Sequence, residues 1–219
     1  MFDGAPYRDE LGRRIETMRR MLDVSDPPLH GGGDISREVR GLIVVLLFAS
    51  YENLLSSLCR GVLERAVSLR VGNRRLRTGF RQFAVHSLLV SISGSGENKI
   101  WKESGRNLLE CAFDSRNCTV NTNIFPKDGS FMKRTQVSLF CSIFEIGDPG
   151  SILKEVWARL DTVVTERNNI AHGMLTPEEV GRGYTREEIR ILIESWERRW
   201  VDFIDVLEER ASRREFYRI

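Results

Sequence analysis

Residues 166–173 read ERNNIAHG and hold the two side chains best suited to chemistry, Arg167 and His172. An imidazole titrates near neutrality and can take or give a proton. A guanidinium can stabilise the charge that gathers on a crowded phosphorane. Together they suit acid–base cleavage of a phosphodiester.

The segment that must position them reads as a helix. With Leu160 as reference and about 100° per residue, Val156, Val163, Val164, Arg167 and Ala171 fall on one apolar stripe. Arg167 therefore sits at the centre of a stripe that should be buried, while Asn168 and His172 lie one turn apart along its edge. Asn169 faces the other way. Gly173 supplies the helix stop. A buried guanidinium needs an acid, a phosphate or a water-filled cleft. Glu52 is the only charged residue within LIVVLLFASYENLLSSL, and it is the expected acid. From geometry alone an Arg167–Glu52 pair could be a purely structural salt bridge or part of a site.

Two other histidines weigh less. Arg81 to His86, RQFAVH, repeats the spacing with apolar residues between and no helix stop after it, so His86 reads as a core or rim residue. His30, in LHGGGD, reads as a loop residue. Cys59, Cys111, Cys118 and Cys141 form no CxxC pair and have no histidines nearby, so no zinc site is expected. No carboxylate cluster has metal-ligand spacing either, and no cofactor is expected.

The chain has 219 residues, 41% of them hydrophobic, enough to bury a core as a single domain. Net charge is only +2. Yet residues 60–81 hold Arg60, Arg65, Arg70, Arg74, Arg75, Arg77 and Arg81 against Glu64 alone. Such a patch can serve phosphate, with Arg74, Arg75 and Arg77 at its centre; a solvated helix end is the plainer alternative. The opening MFDGAPYRDELG has no signal-peptide pattern, and the apolar run GLIVVLLFASY is about half of a membrane crossing. A cytoplasmic protein with no membrane contact is expected.

Helical periodicity runs through the chain, with no alternating strand pattern and no repeat. Helices are expected over 7–23, 35–70, 80–91, 101–113, 132–144 and from 152 to Gly173. TPEE (Thr176 to Glu179) and TREE (Thr185 to Glu188) are capping boxes. The last helix should bury Ile189, Leu192, Ile193, Trp196, Trp200, Phe203, Ile204 and Leu207. The expected architecture is an all-α bundle, one domain over 1–219. Its core helices cover about 35–70 and 150–210, and 71–146 forms a helical insertion.

These residues resemble the HEPN superfamily. ERNNIAHG looks like its Arg-x4-6-His motif, with polar Asn168 directly after the arginine. LLFASYENLLSSL is similar to the early helix of the MAE_28990 and RiboL-PSP branches, with Tyr51–Glu52 as the aromatic–Glu pair. The resemblance covers roughly 35–70 and 150–210. It implies a HEPN-like helical bundle, commonly a homodimer, and metal-independent endoribonuclease activity, often in toxin–antitoxin or anti-phage systems. Arg167 and His172 would be the catalytic pair, Asn168 the supporting polar residue and Glu52 an orienting partner. Attack of a ribose 2′-OH would leave a 2′,3′-cyclic phosphate. Met174 stands two residues after His172, where one branch carries a tyrosine that its antitoxin modifies, so that route of control is not implied. With no second histidine near His172 on the chain, a composite site across a two-fold axis is expected. The other reading is a non-catalytic module that binds RNA or a protein partner, such as an antitoxin or a defence complex.

Overall fold

The computed structural model describes residues 2–25, 34–93, 98, 101, 103–126 and 132–215. Among them the chain is all-α, with no strand. His30 lies outside the described residues.

Helix α1 (Ala5–Ser25) buries Leu11, Ile15, Met18 and Leu22, spaced four, three and four residues apart so that they share one face. Helix α2 (Asp34–Ser68) is the spine. It packs against α1 and the later helices α7, α8 and α9. By length and mean hydropathy alone α2 could cross a membrane. Its packing inside the protein accounts for the same composition, because Ile43, Val44, Leu47, Phe48, Tyr51, Leu55 and Leu58 are all buried.

The middle of the chain is a set of short pieces: a 3-10 turn Asn73–Arg75, α3 (Thr78–Ala84), α4 (His86–Ile92), α5 (Glu103–Ala112) and α6 (Arg134–Ile143). The single helix expected over 80–91 is two helices, broken where Val85 leaves helical geometry (φ −97°, ψ 2°). Phenylalanines tie this region to the rest. Phe140 meets Phe144 at 4.7 Å and Phe203 at 6.1 Å, and Phe80 meets Phe144 at 5.3 Å.

Helix α7 (Pro149–Ala171) starts on Asp148, whose carboxylate accepts from the Gly150 and Ser151 amides. It buries Leu153, Val156, Leu160, Val163 and Val164, while Ile152 and Trp157 sit at the rim. α8 (Pro177–Gly181) and α9 (Arg186–Ser212) both open with complete capping boxes, on Thr176–Glu179 and Thr185–Glu188. The expected core face of α9 is buried throughout.

Aromatic packing locks α2 to α9. Tyr51 stacks on Trp200 (5.5 Å) and meets Trp196 edge-on (5.6 Å). Its hydroxyl donates to the Met132 carbonyl at 2.5 Å, which fixes the start of α6 as well. Helix α8 is pressed onto α2 through two glycines. A Cβ on Gly41 would collide with the Pro177 carbonyl, and one on Gly181 with the Arg37 carbonyl. That contact sets where the end of α7 must lie.

Candidate functional site

Helix α7 ends in a Schellman closure. Gly173, at φ +68°, takes the left-handed position that glycine adopts without strain. Its amide donates to the Ile170 carbonyl (3.0 Å), and the Met174 amide donates to Asn169 (2.8 Å). His172 is the C-cap residue, its own amide bonded to the Asn168 carbonyl (2.9 Å). The imidazole is exposed, in a run from Ala171 to Thr176 in which every residue is exposed.

Arg167 lies one turn and a half back and is half-buried. Its guanidinium rests over the Phe48 ring, 4.3 Å from the centroid, and Nη1 donates to Asn168 Oδ1 at 2.9 Å. The expected Arg167–Glu52 ion pair is not formed: among the described residues no acid lies within 4.0 Å of Arg167. Phe48 stands one helical turn before Glu52 on α2, and a turn advances the chain about 5.4 Å. The guanidinium takes the aromatic face instead, which satisfies a desolvated cation without a carboxylate. Glu52 is itself only half-buried, so it has no need of a cation. The structure thus joins the Arg167 and Asn168 side chains by a hydrogen bond, places His172 five residues after Arg167 at the same helix end with its imidazole exposed, and leaves Glu52 unpaired with them. Charge still links the two helices. Burial pushes the Tyr51 hydroxyl far above its usual range, Glu52 and Asp161 add to that, and Arg167 opposes it.

One pair was not legible in the sequence. Glu166, next to Arg167, is half-buried and accepts the Tyr184 hydroxyl at 2.6 Å. Burial pushes the Glu166 carboxyl up, opposed by the Tyr184 hydrogen bond and by Arg159. Tyr184 is pushed up in turn by burial and by Glu166, and its carbonyl accepts from Arg40. This ties α7 to the α8–α9 connection and to α2. Beside it runs a groove of about 320 Å³ lined by Glu155, Arg159, Tyr184, Glu188, Ile191, Leu192 and Ser195. Only the half-polar character of a Tyr after Gly183 hints at the pair in the sequence.

No family model, characterised protein or solved structure matches this chain.

The arginine-rich segment lies elsewhere. Arg74 and Arg75 are exposed on the 3-10 turn, whereas Arg77 is paired with Glu145. From Phe48 to the end of α2 the chain climbs roughly 30 Å at about 1.5 Å per residue, so this patch, which follows that end, is well separated along the spine from the Arg167–Phe48 contact. His86 is half-buried at the start of α4, a rim position. Cys59 and Cys141 are buried, and burial pushes both thiols up to about 12. Among the described residues no group of three His, Cys, Asp or Glu side chains could hold a metal ion.

Proposed function

We propose that the protein is a HEPN-like, metal-independent endoribonuclease whose site is Arg167, Asn168 and His172, with Glu52 at its edge. The observation that carries this is the placement of an exposed imidazole at a rigid helix end, with an arginine held one turn and a half behind it. In the proposed reaction a ribose 2′-OH attacks the adjacent phosphate as a base takes its proton. The 5′ oxygen leaves as an acid protonates it, giving a 2′,3′-cyclic phosphate and a 5′-OH. Arg167 would stabilise the negative charge on the non-bridging phosphorane oxygens, and Asn168 holds the guanidinium from the side.

Two proton-transfer groups are wanted and, among the described residues, His172 is the histidine at this corner, so the site is proposed to form between two chains. Exposed apolar residues support such a homodimer. Met174 (73% exposed) and Leu175 follow His172, and Ile35 (71%) and Leu42 lie on one face of α2. The setting proposed is cytoplasmic, in a toxin–antitoxin or anti-phage system, with an antitoxin or defence-complex protein as a further partner. A second reading, a non-catalytic RNA-binding or interaction module, draws on the Arg167 guanidinium being already engaged by Phe48 and Asn168.

Incubation of the purified protein with total RNA in EDTA separates the two. The nuclease reading expects cleavage that disappears in His172→Ala with folding stability within about 0.5 kcal/mol of wild type, because the side chain is exposed. Equal cleavage by the two proteins would remove His172 from the site, and no cleavage by either would favour the module.

A further inference from the structure

The segment after α2 and the end of α5 are clamped together by hydrogen bonds that converge on Asn73. This side chain is fully buried. Its Nδ2 donates to the Cys111 carbonyl (2.7 Å) and Thr119 Oγ1 (2.8 Å), and its Oδ1 accepts the Thr119 amide (3.0 Å). The Arg74 amide donates to the Asp114 carbonyl at 2.9 Å. Gly72 passes so close that a Cβ would collide with the Ser115 backbone. Arg81 closes the arrangement. Its Nη2 donates to the Arg74 carbonyl (2.8 Å) and its Nε to the Leu76 carbonyl (2.9 Å), while the guanidinium plane covers Phe113 at 5.5 Å. A rigid set of backbone contacts therefore holds an arginine-on-phenylalanine stack at the surface.

Phe113 stays 57% exposed. Arg70, Arg74 and Arg75, on the segment held against it, and Arg116, three residues on, are exposed. None has an acid within ion-pairing distance among the described residues, although the Arg116 charge helps to lower Asp114. The nearest carboxylate, Asp114, is occupied by the amides of Arg116 (2.7 Å) and Asn117 (2.9 Å). Helix α5, which ends one residue before Phe113, buries none of its residues.

We propose that this clamp is a docking site for single-stranded RNA: an unpaired base stacks on the Phe113–Arg81 pair, and Arg74 and Arg75 take the neighbouring phosphates. It rests on the RNA reading above and deepens it by naming the strandedness of the ligand. Unneutralised cations call for a polyanion. A ring face capped by a guanidinium calls for a base, which a duplex keeps inside its stack. Arg77, tied to Glu145, has no part in it.

The test uses His172→Ala protein, so that binding is read without cleavage, with fluorescein-labelled oligouridylate and a perfect RNA duplex of equal length as probes. The single strand should bind more tightly than the duplex. Phe113→Ala should weaken it by about 5- to 100-fold without altering the salt slope, and Phe113→Trp should restore it. Replacing Arg74 and Arg75 by Ala should lower the slope of log K against log salt by about 0.7 per residue. Circular dichroism checks that each variant is folded. Equal affinity for the duplex would overturn the proposal, and so would binding indifferent to Phe113. Displacement of the RNA by polyglutamate that Phe113→Ala leaves unchanged would assign the surface to an acidic protein instead. If wild-type protein binds single strands here but cleaves nothing, the nuclease reading falls and this site stands. Cleavage with unchanged KM in the Phe113→Ala and Arg74/Arg75 variants gives the reverse.

Discussion

Two arginine–phenylalanine stacks, one against the middle of α2 and one beyond its C-terminal end, differ in what surrounds them. Arg167 rests on Phe48, which is 1% exposed, and its Nη1 donates to Asn168. Arg81 rests on Phe113, which is more than half exposed, on a segment where Arg70, Arg74 and Arg75 are exposed with no acid within ion-pairing distance among the described residues. The first cation is held by the core and delivered to a fixed place. The second decorates a surface that lacks its counter-charge. Positioning and availability are thus separated: the Arg167 guanidinium is held against a buried ring, and the clamp, in our proposal, is the surface that takes a ligand.

Truncating the two rings should break the symmetry most sharply. Phe48→Ala removes a buried ring and is expected to cost about 3–5 kcal/mol in urea unfolding. Phe113→Ala should cost less than about 1 kcal/mol by the same measurement, because its site is open. Similar losses at both positions would mean that the clamp ring is packed and the distinction is false.

A smaller effect sharpens the account of Arg167. A double-mutant cycle of Phe48→Leu with Arg167→Met should show a coupling of about 0.5–2 kcal/mol. The cycle of Glu52→Gln with Arg167→Met should be additive within about 0.5 kcal/mol. A large coupling to Glu52 would restore the ion pair that the structure replaces with a ring contact.

The smallest expected effect belongs to Glu166, which helps anchor the α7 corner through Tyr184. Its folded-state carboxyl titrates above the ordinary value of 4.5 because it is half-buried. Between that value and its raised one, the folded state holds more protons than the unfolded state. Glu166 therefore favours folding at acid pH and loses that contribution as pH rises through the interval. Glu166→Gln, which can still accept from Tyr184, should flatten stability there when unfolding is followed across pH. A profile identical to wild type would show that Glu166 is solvated.

What could be read from the sequence follows from which forces are periodic. The buried face of α9, that of α7 as far as Val164, the two capping boxes and the placement of His172 at a helix stop all rest on patterns of three and four residues and stand as expected. Past Val164 the α7 stripe opens, with Arg167 half-buried and Ala171 exposed. The partner of Arg167 does not follow a period. Elimination of charged residues singled out Glu52, but a buried cation can also be met by an aromatic face, and α2 offered Phe48 one turn earlier. The clamp was still less legible. It depends on Asn73 reaching residues 111 and 119, far along the chain, through side-chain hydrogen bonds that leave no repeat in composition. The arginines of the patch were visible; that Arg77 is spent on Glu145 and that Phe113 joins the others was not.

The central claim is that RNA is cut by its own 2′-hydroxyl at the Arg167–His172 corner. The most direct measurement places a single 2′-deoxy nucleotide on the 5′ side of a mapped cleavage position and repeats the reaction in EDTA. The account predicts that cleavage at that position stops while binding of the oligonucleotide is unchanged, because the nucleophile is gone and the phosphates remain. Cleavage continuing there at the original rate would show that water or another group attacks, and would contradict the mechanism.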